Sequence, residues 1–565
     1  MQEAAPVAQA QPNTYSCATY SGIERPNPVQ NLYRDTFAWG TTPPYRVGDG
    51  RGDVNWRLNP AENPSWYMWL HSLRWLGQGI RAAGAGDKRA LQRVDAIAHD
   101  WVRDNPFPWT DDAGAAESTM HRTNVLICLR QAVLSGLRVT RLPAAYRWID
   151  VALEQHAQFL QRNWSGDWNH GTEESLALFG VGCTLGRADL KRTAAERLTT
   201  GIKTAIDAQG STNEQSTAYA QYNYSLWGRA IDVLGKCGVE ASPTIRARRE
   251  RLANWLALAT NSLGYLHQLG DSEVVKTTPV AGTPLEYAGT LGARGTRPTQ
   301  RIGIFNAGYV FGRTGWGTER PFGAESTYSI RFGPVRRLHG HDDHMSITYT
   351  ALGRDVLVDG GHAGYQGDSW QRWARGQTAH NVMTVAGAGT SETRLKRSVV
   401  RDTSEFYELR DAGRARGVLV LKDPDLMVIL DRGSAAGRRK YETLWHLAAG
   451  QEVTPYGAGS VVAQRPGDTV KTVLLQVPYD GPVTPAHVES SWQYRTIDKR
   501  SAAPVVEFTR TGRTASILSV IAPAQARAAV SYTVSQKDGQ TMLHLQVGTA
   551  RVTVAIAPDG TLRRY

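Results

Sequence analysis

Residues 336–365, RRLHGHDDHMSITYTALGRDVLVDGGHAGY, decide how this chain is read. Two short runs in it, Ser346 to Leu352 and Val356 to Val358, are of β type and bounded by polar turn residues. That pattern predicts two short strands. The polar loops around them carry His339, His341, His344, Asp359 and His362, and WARGQTAHNVMTV (373–385) adds His380. Clustered histidines beside predicted strands point to catalysis or metal binding. Each of them alone could equally be an ordinary loop residue.

Working outward, short β-type runs continue on both sides: Tyr328 to Phe332, Val418 to Leu421, Met427 to Leu430 and Val552 to Ile556. Their lengths and polar turns fit an antiparallel sandwich beginning near Thr278. Upstream the period changes. From about Ser65 to Leu258 apolar residues recur at helical spacing, as in Trp66, Trp69, Leu70, Leu73 and Ile80. Helical segments follow near Val125 to Leu134, Tyr146 to Leu160, Ser175 to Leu185, Leu190 to Ile206 and Tyr219 to Leu234, a series that suggests a layered array or toroid. The turn-rich stretch LGDSEVVKTTPVAGTP (269–284) is the expected crossing between the two halves. The chain is therefore expected to be α+β. Its expected division is an N-terminal extension (1–60), a helical domain (61–277), a β-sandwich (278–450) and a β-rich continuation (451–565).

The 565 residues are 41% hydrophobic and 21% charged, an ordinary globular composition. Lys and Arg number 64 against 52 Asp and Glu, a net charge of +12 that attracts polyanions. No long basic run, zinc-finger spacing or RNA-binding aromatic motif occurs, so nucleic acid is not the expected partner. No stretch approaches the roughly 18 uninterrupted apolar residues of a membrane span. The opening MQEAAPVAQAQPN lacks a basic and an apolar signal region but resembles the loose start of an exported protein after signal removal. A secreted or periplasmic location is expected. Cys17, Cys128, Cys183 and Cys237 are too far apart for a zinc ribbon; disulfides are open, and buried thiols fit Cys128 and Cys183 at least as well.

Three further groups carry chemistry. Arg336, Arg337 and Arg375 flank the histidines, where guanidinium forks suit carboxylate or sulfate, although a solvated basic face would look the same. In DWNHGTEESLALFG (167–180), Asn169 and His170 precede an apolar helical run, with Glu173 three residues on. A helix start there would favour a bound anion, and Asn169 could also serve only as its cap. In DAQGSTNEQSTAYAQYNYSLWGRA (207–230), Glu214 and Ser216 lead into Tyr219, Tyr222 and Tyr224, a surface unusually polar for a core and suited to sugar binding or proton transfer. His341, Asp359 and His380 lie on or beside three successive predicted strands and make a proper zinc set.

Together these motifs resemble the heparinase II/III group of polysaccharide lyases, which also includes alginate lyases. HGHDDHMSITYTALGRDVLVDGG with RGQTAHN is similar to that family's HGHxDxLSF, LVDxG and RxxxAHN signature, NEQSTAY to its ExSPxY motif, and WNHGTEE to its Asn-His helix start. The likeness covers about Trp66 to His446. Thr217 departs from it, standing where the family usually has proline.

The resemblance implies an incomplete (α/α) toroid followed by an antiparallel β-sandwich, and β-elimination on a uronate-containing acidic polysaccharide. It implies that Asn169 neutralises the uronate carboxylate, that His170 or His339 acts as base, and that Tyr219 moves a proton near the leaving oxygen. Glu173, Glu214, Arg336, Arg337 and Arg375 are the expected substrate-binding residues. His341, Asp359 and His380 match the family's metal ligands, implying a structural zinc. A C5-epimerase, a hydrolase using a carboxylate pair such as Glu173, Glu174 or Glu214, and a non-catalytic glycan-binding protein with 17 Trp along a groove are the competing expectations.

Overall fold

The computed structural model describes residues 15, 17–40, 42–60, 62–109, 116–497 and 499–565. They form two compact units, one of Met1–Ala205 with Ser225–Arg249 and one of Ile206–Tyr224 with Glu250–Tyr565.

The first unit is helical, as the 3.6-residue period requires. Asn63 caps Pro64–His71 by accepting from Ser65 and Trp66 N–H, and Asp87 caps Lys88–Asp104 by accepting from Ala90 N–H. In the latter helix Leu91, Val94, Ala98 and Trp101 form one buried stripe. Helix Asn169–Leu185 is buried almost all round and packs against Ala116–Leu137, Trp148–Arg162 and Ala188–Ala205. It ends where Gly186 adopts φ 71°. The expected N-terminal extension is part of this core: Leu32, Phe37 and Trp56 are buried, and Phe37 meets the Trp66 ring edge-on at 5.1 Å. Cys17 pairs with Cys128 and Cys183 with Cys237. The buried-thiol reading of Cys128 and Cys183 is therefore replaced by disulfides.

The second unit is built from antiparallel sheets. A five-stranded meander runs Ile302–Phe305, Tyr309–Arg313, Thr327–Arg331, Ile347–Ala351 and Arg354–Leu357. A ten-stranded sheet centres on the long strands Leu426–His446 and Lys499–Gln525, and a four-stranded sheet comprises Val530–Lys537, Gln540–Val547, Ala550–Ile556 and Leu562–Arg564. Alternation along the large sheet serves both neighbours. Val418 and Val420 join the core beneath the meander, whereas Leu419 and Leu421 join the core beneath the four-stranded sheet.

These units differ from the four-part division. Val470–Val477 and Lys499–Gln525 pair beside Leu426–His446 in one sheet, so the chain after 450 completes the sandwich. Residues 206–224 and 250–277, read as part of the helical domain, belong to the β unit. No described helix is long and apolar enough to cross a membrane.

Candidate active site

Tyr219 stands in the first turn of helix Thr217–Lys236. Thr217 donates its backbone N–H to the Leu269 carbonyl at 3.3 Å and its hydroxyl to the His267 carbonyl at 2.6 Å. Neither bond is available to proline, so threonine anchors this helix start by a different route. Ser216 adds a hydroxyl bond of 3.0 Å to the Asp271 carbonyl. The Tyr219 ring lies flat on His339, with centroids 3.5 Å apart and planes 9° from parallel, and its hydroxyl is 2.8 Å from that of Tyr365.

His339 Nδ1 is 3.1 Å from Asp271 Oδ2 and 3.2 Å from the Tyr365 hydroxyl, and its Nε2 is 3.5 Å from Glu214 Oε2. Asp271 is the hub of the cluster. Its Oδ1 faces His341 Nε2 at 3.0 Å and His362 Nδ1 at 3.2 Å, and Arg375 reaches both oxygens from the end of helix Ser369–Arg375. Burial opposes ionisation of this carboxyl, yet the bonds from His339, His341 and His362 outweigh it and hold its pKa far below the carboxylate range. Burial, with Tyr219 and Asp271 beside it, pushes the Tyr365 phenol far above the ordinary tyrosine value, so it stays a hydroxyl at neutral pH.

His341, Asp359 and His380 present ligand atoms within 4.8 Å of one another, and all three are buried. His380 Nδ1 lies 2.7 Å from Asp359 Oδ2. Burial lowers the His341 pKa despite Asp271; at His380 burial acts the same way, but Asp359 overrides it and raises the pKa. His341 Nδ1 and His380 Nε2 are buried without a hydrogen-bond partner among the described residues. Buried imidazole nitrogens without a hydrogen-bond partner, on rings grouped with a carboxylate, are what a tetrahedral cation relieves, so the donor set fits zinc.

The expected substrate-binding residues part company here. Arg336 and Arg337 are exposed, Arg336 making a 3.2 Å ion pair with Asp342. Arg375 is turned inward onto Asp271, and Glu214 is buried, accepting from Asn223 at 2.7 Å. In the helical unit Trp168, not Asn169, is the cap of helix Asn169–Leu185, so Asn169 is its buried first residue. His170 stacks on Trp168 at 4.0 Å with its Nε2 3.8 Å from Glu117. Glu173, expected to touch substrate, is only 1% exposed, ion-paired with Arg229 and bonded by the Tyr20 hydroxyl at 2.7 Å. A carboxylate so enclosed is committed to internal partners. Sequence reading missed Asp271 and Tyr365. Both lay inside stretches already singled out, but neither spacing nor periodicity marks them.

Residues 307–516 match a family model described as heparinase II/III-like, C-terminal. That stretch is similar to the C-terminal domain of the heparinase II/III-like family. Among solved structures, one titled heparinase III is 16% identical with a TM-score of 0.81, over 95% of this chain and 91% of that one. A mutant of the heparan sulfate lyase HepC from Pedobacter heparinus is 17% identical with a TM-score of 0.73, covering 94% and 89%. The Streptomyces coelicolor A3 chondroitin AC lyase, solved with chondroitin sulphate, is 12% identical with a TM-score of 0.54, covering 88% and 84%. No curated protein sequence matches. At these identities the likeness is one of fold, and the incomplete (α/α) toroid followed by an antiparallel β-sandwich is the architecture shared with the heparinase III-type domain arrangement.

Proposed function

We propose that this protein is a polysaccharide lyase that cleaves a uronate-containing acidic polysaccharide, with glycosaminoglycans the foremost class, by β-elimination. The observation that carries the reading is the Tyr219 phenol, stacked on His339 and 2.8 Å from a second phenol that stays protonated. Elimination takes the C5 proton, forms the C4=C5 double bond and expels O4, which must gain a proton. Tyr219 serves at the leaving oxygen; when its own oxygen carries charge, Tyr365 donates a hydrogen bond to it. His339 or His170 takes the C5 proton, and Asn169 holds the uronate carboxylate. The exposed Arg336 and Arg337 attract the acidic groups of the chain.

The hydrolase reading loses its carboxylates. Glu173 is ion-paired, Glu174 accepts from Ser165 N–H and hydroxyl, and Glu214 accepts from Asn223. His341, Asp359 and His380 would hold a zinc ion whose contribution is to fix the β-unit loops. Two disulfides favour an oxidising compartment, and hence export.

The test is ultraviolet absorbance of the unsaturated uronate on heparan sulfate, chondroitin, hyaluronan and alginate, with Tyr219→Phe alongside. A rise on one substrate, abolished in the variant, supports the reading. Reducing ends without absorbance would make the protein a hydrolase.

A further inference from the structure

His339 and His341 are two residues apart and reach opposite oxygens of one carboxylate. Asp271 Oδ2 is 3.1 Å from His339 Nδ1, and Asp271 Oδ1 is 3.0 Å from His341 Nε2. The backbone repeats the grip, since Asp271 N–H donates to the His339 carbonyl at 2.8 Å. Gly270, at φ 61°, makes that approach possible: a Cβ there would stand 2.3 Å from the Gln215 carbonyl oxygen and 2.5 Å from that of His339. Arg375 closes the outer side of the carboxylate.

We propose that Asp271 is the positioning residue of the elimination, fixing the His339 ring as its Nδ1–H tautomer in stacking register with Tyr219 and tying it to the His341–Asp359–His380 set. The proposal rests on the lyase reading above. An ionised carboxylate only accepts, so the ring nitrogen hydrogen-bonded to it at 3.1 Å must carry the hydrogen, whereas Glu214 Oε2 stands 3.5 Å from Nε2. The same reasoning puts the hydrogen of His341 on Nε2 and leaves its Nδ1 for a cation, the arrangement in which a carboxylate behind a metal-binding histidine orients the ring. One buried side chain thus sets the tautomer of a candidate base and of a candidate metal ligand. Disturbing either ring would be felt by the other through Asp271.

Asp271→Asn tests this, because the amide nitrogen can donate where the carboxylate accepted. The proposal expects kcat to fall about ten- to a hundredfold, the usual cost of losing such a supporting carboxylate, with KM within about twofold. In long-range 1H–15N spectra of the histidine rings, His339, assigned through His339→Gln, should change from Nδ1–H to Nε2–H. Zinc retention at limiting zinc should weaken, because the same carboxylate orients His341, and kcat should stay low once zinc is saturating. An unaltered kcat, an unaltered His339 spectrum, or a kcat loss restored by added zinc would each overturn the proposal, the last because Asp271 would then act only through the metal set. If Asp271→Asn does not fold, Arg375→Gln loosens the carboxylate without replacing it and must give the same kcat-only loss in smaller measure. Should wild type release no unsaturated ends on any uronate polysaccharide, the lyase reading fails, while the ring spectra still decide what Asp271 does to His339.

Discussion

Buried histidines occur in both units, and they are kept in different company. In the helical unit His71 Nδ1 accepts from Trp101, His121 from the Arg74 guanidinium and His156 from that of Arg122. Burial, with those cations adding to it, drives all three pKa values down, that of His71 to about 3. Such rings are neutral acceptors for buried donors. In the β unit His339, His341 and His362 face Asp271, and His380 faces Asp359. A ring beside a carboxylate has its proton assigned and can exchange it or leave a nitrogen for a cation. His267 shows that the partner decides and not the unit. It lies in the β unit with only the Thr348 hydroxyl at Nδ1, and burial takes it to about 3 as well.

The sharpest way to break this contrast is to make the same substitution in both places. His339→Gln should lower kcat by about two to four orders of magnitude, the span of a lost acid–base group, while thermal unfolding moves little. His156→Gln should do the reverse. It disturbs the acceptor of the fully buried Arg122 Nε at 2.9 Å and so costs on the order of 1–3 kcal/mol of stability, with turnover per folded molecule retained. Melting curves and steady-state kinetics on the two variants decide; if both lose only stability, the carboxylate-facing ring has no special role.

A second difference is covalent. Both disulfides lie in the helical unit, closing 111 and 54 residues, and all four cysteines are used. Loop-closure entropy assigns about 5 kcal/mol to the longer loop and about 4 to the shorter as upper figures, with 2–4 typical. Reduction should therefore lower the helical transition in a far-ultraviolet circular dichroism melt while β-unit unfolding, followed by hydrogen exchange, stays in place. Equal losses in both would mean that the units do not unfold separately.

How much of this was legible in the sequence follows from range. Helical and alternating periods are local, and the strands expected at Tyr328, Ser346, Val418 and Met427 are found at Thr327–Arg331, Ile347–Ala351, Arg414–Leu421 and Leu426–His446. The family resemblance singled out Tyr219 and His339, whose rings the structure stacks, and the motifs grouped His341, Asp359 and His380, whose ligand atoms it brings within 4.8 Å of one another. What failed is long-range. Asp271 sits in a turn-rich stretch that reads as a crossing, 68 residues from His339 and 104 from Arg375, and nothing local distinguishes it from a turn former. Lys499–Gln525 threads back between strands that precede it, so a boundary near 450 looked natural in one dimension and does not exist in the sheet. Glu173 looked available because its partners, Tyr20 and Arg229, are 153 and 56 residues away.

The mildest test uses pH. An imidazole whose pKa is about 3 when folded and about 6.5 when unfolded holds fewer protons in the folded state between those values. Stability from that neutral ring is complete above pH 6.5 and falls as pH drops toward 3. For fully buried His71 the loss from pH 7 to pH 5 is about 2 kcal/mol. His71→Gln keeps an acceptor for Trp101 Nε1 and a donor for the Trp56 carbonyl, which His71 Nε2 meets at 2.8 Å, but cannot titrate. Urea melts at pH 7 and pH 5 should therefore show a shallower pH dependence in His71→Gln than in wild type, even if the variant is less stable at both. Parallel losses would mean that His71 does not control the acid response and that the neutral-ring half of the comparison needs another carrier, with His121 and His156 the next rings to replace.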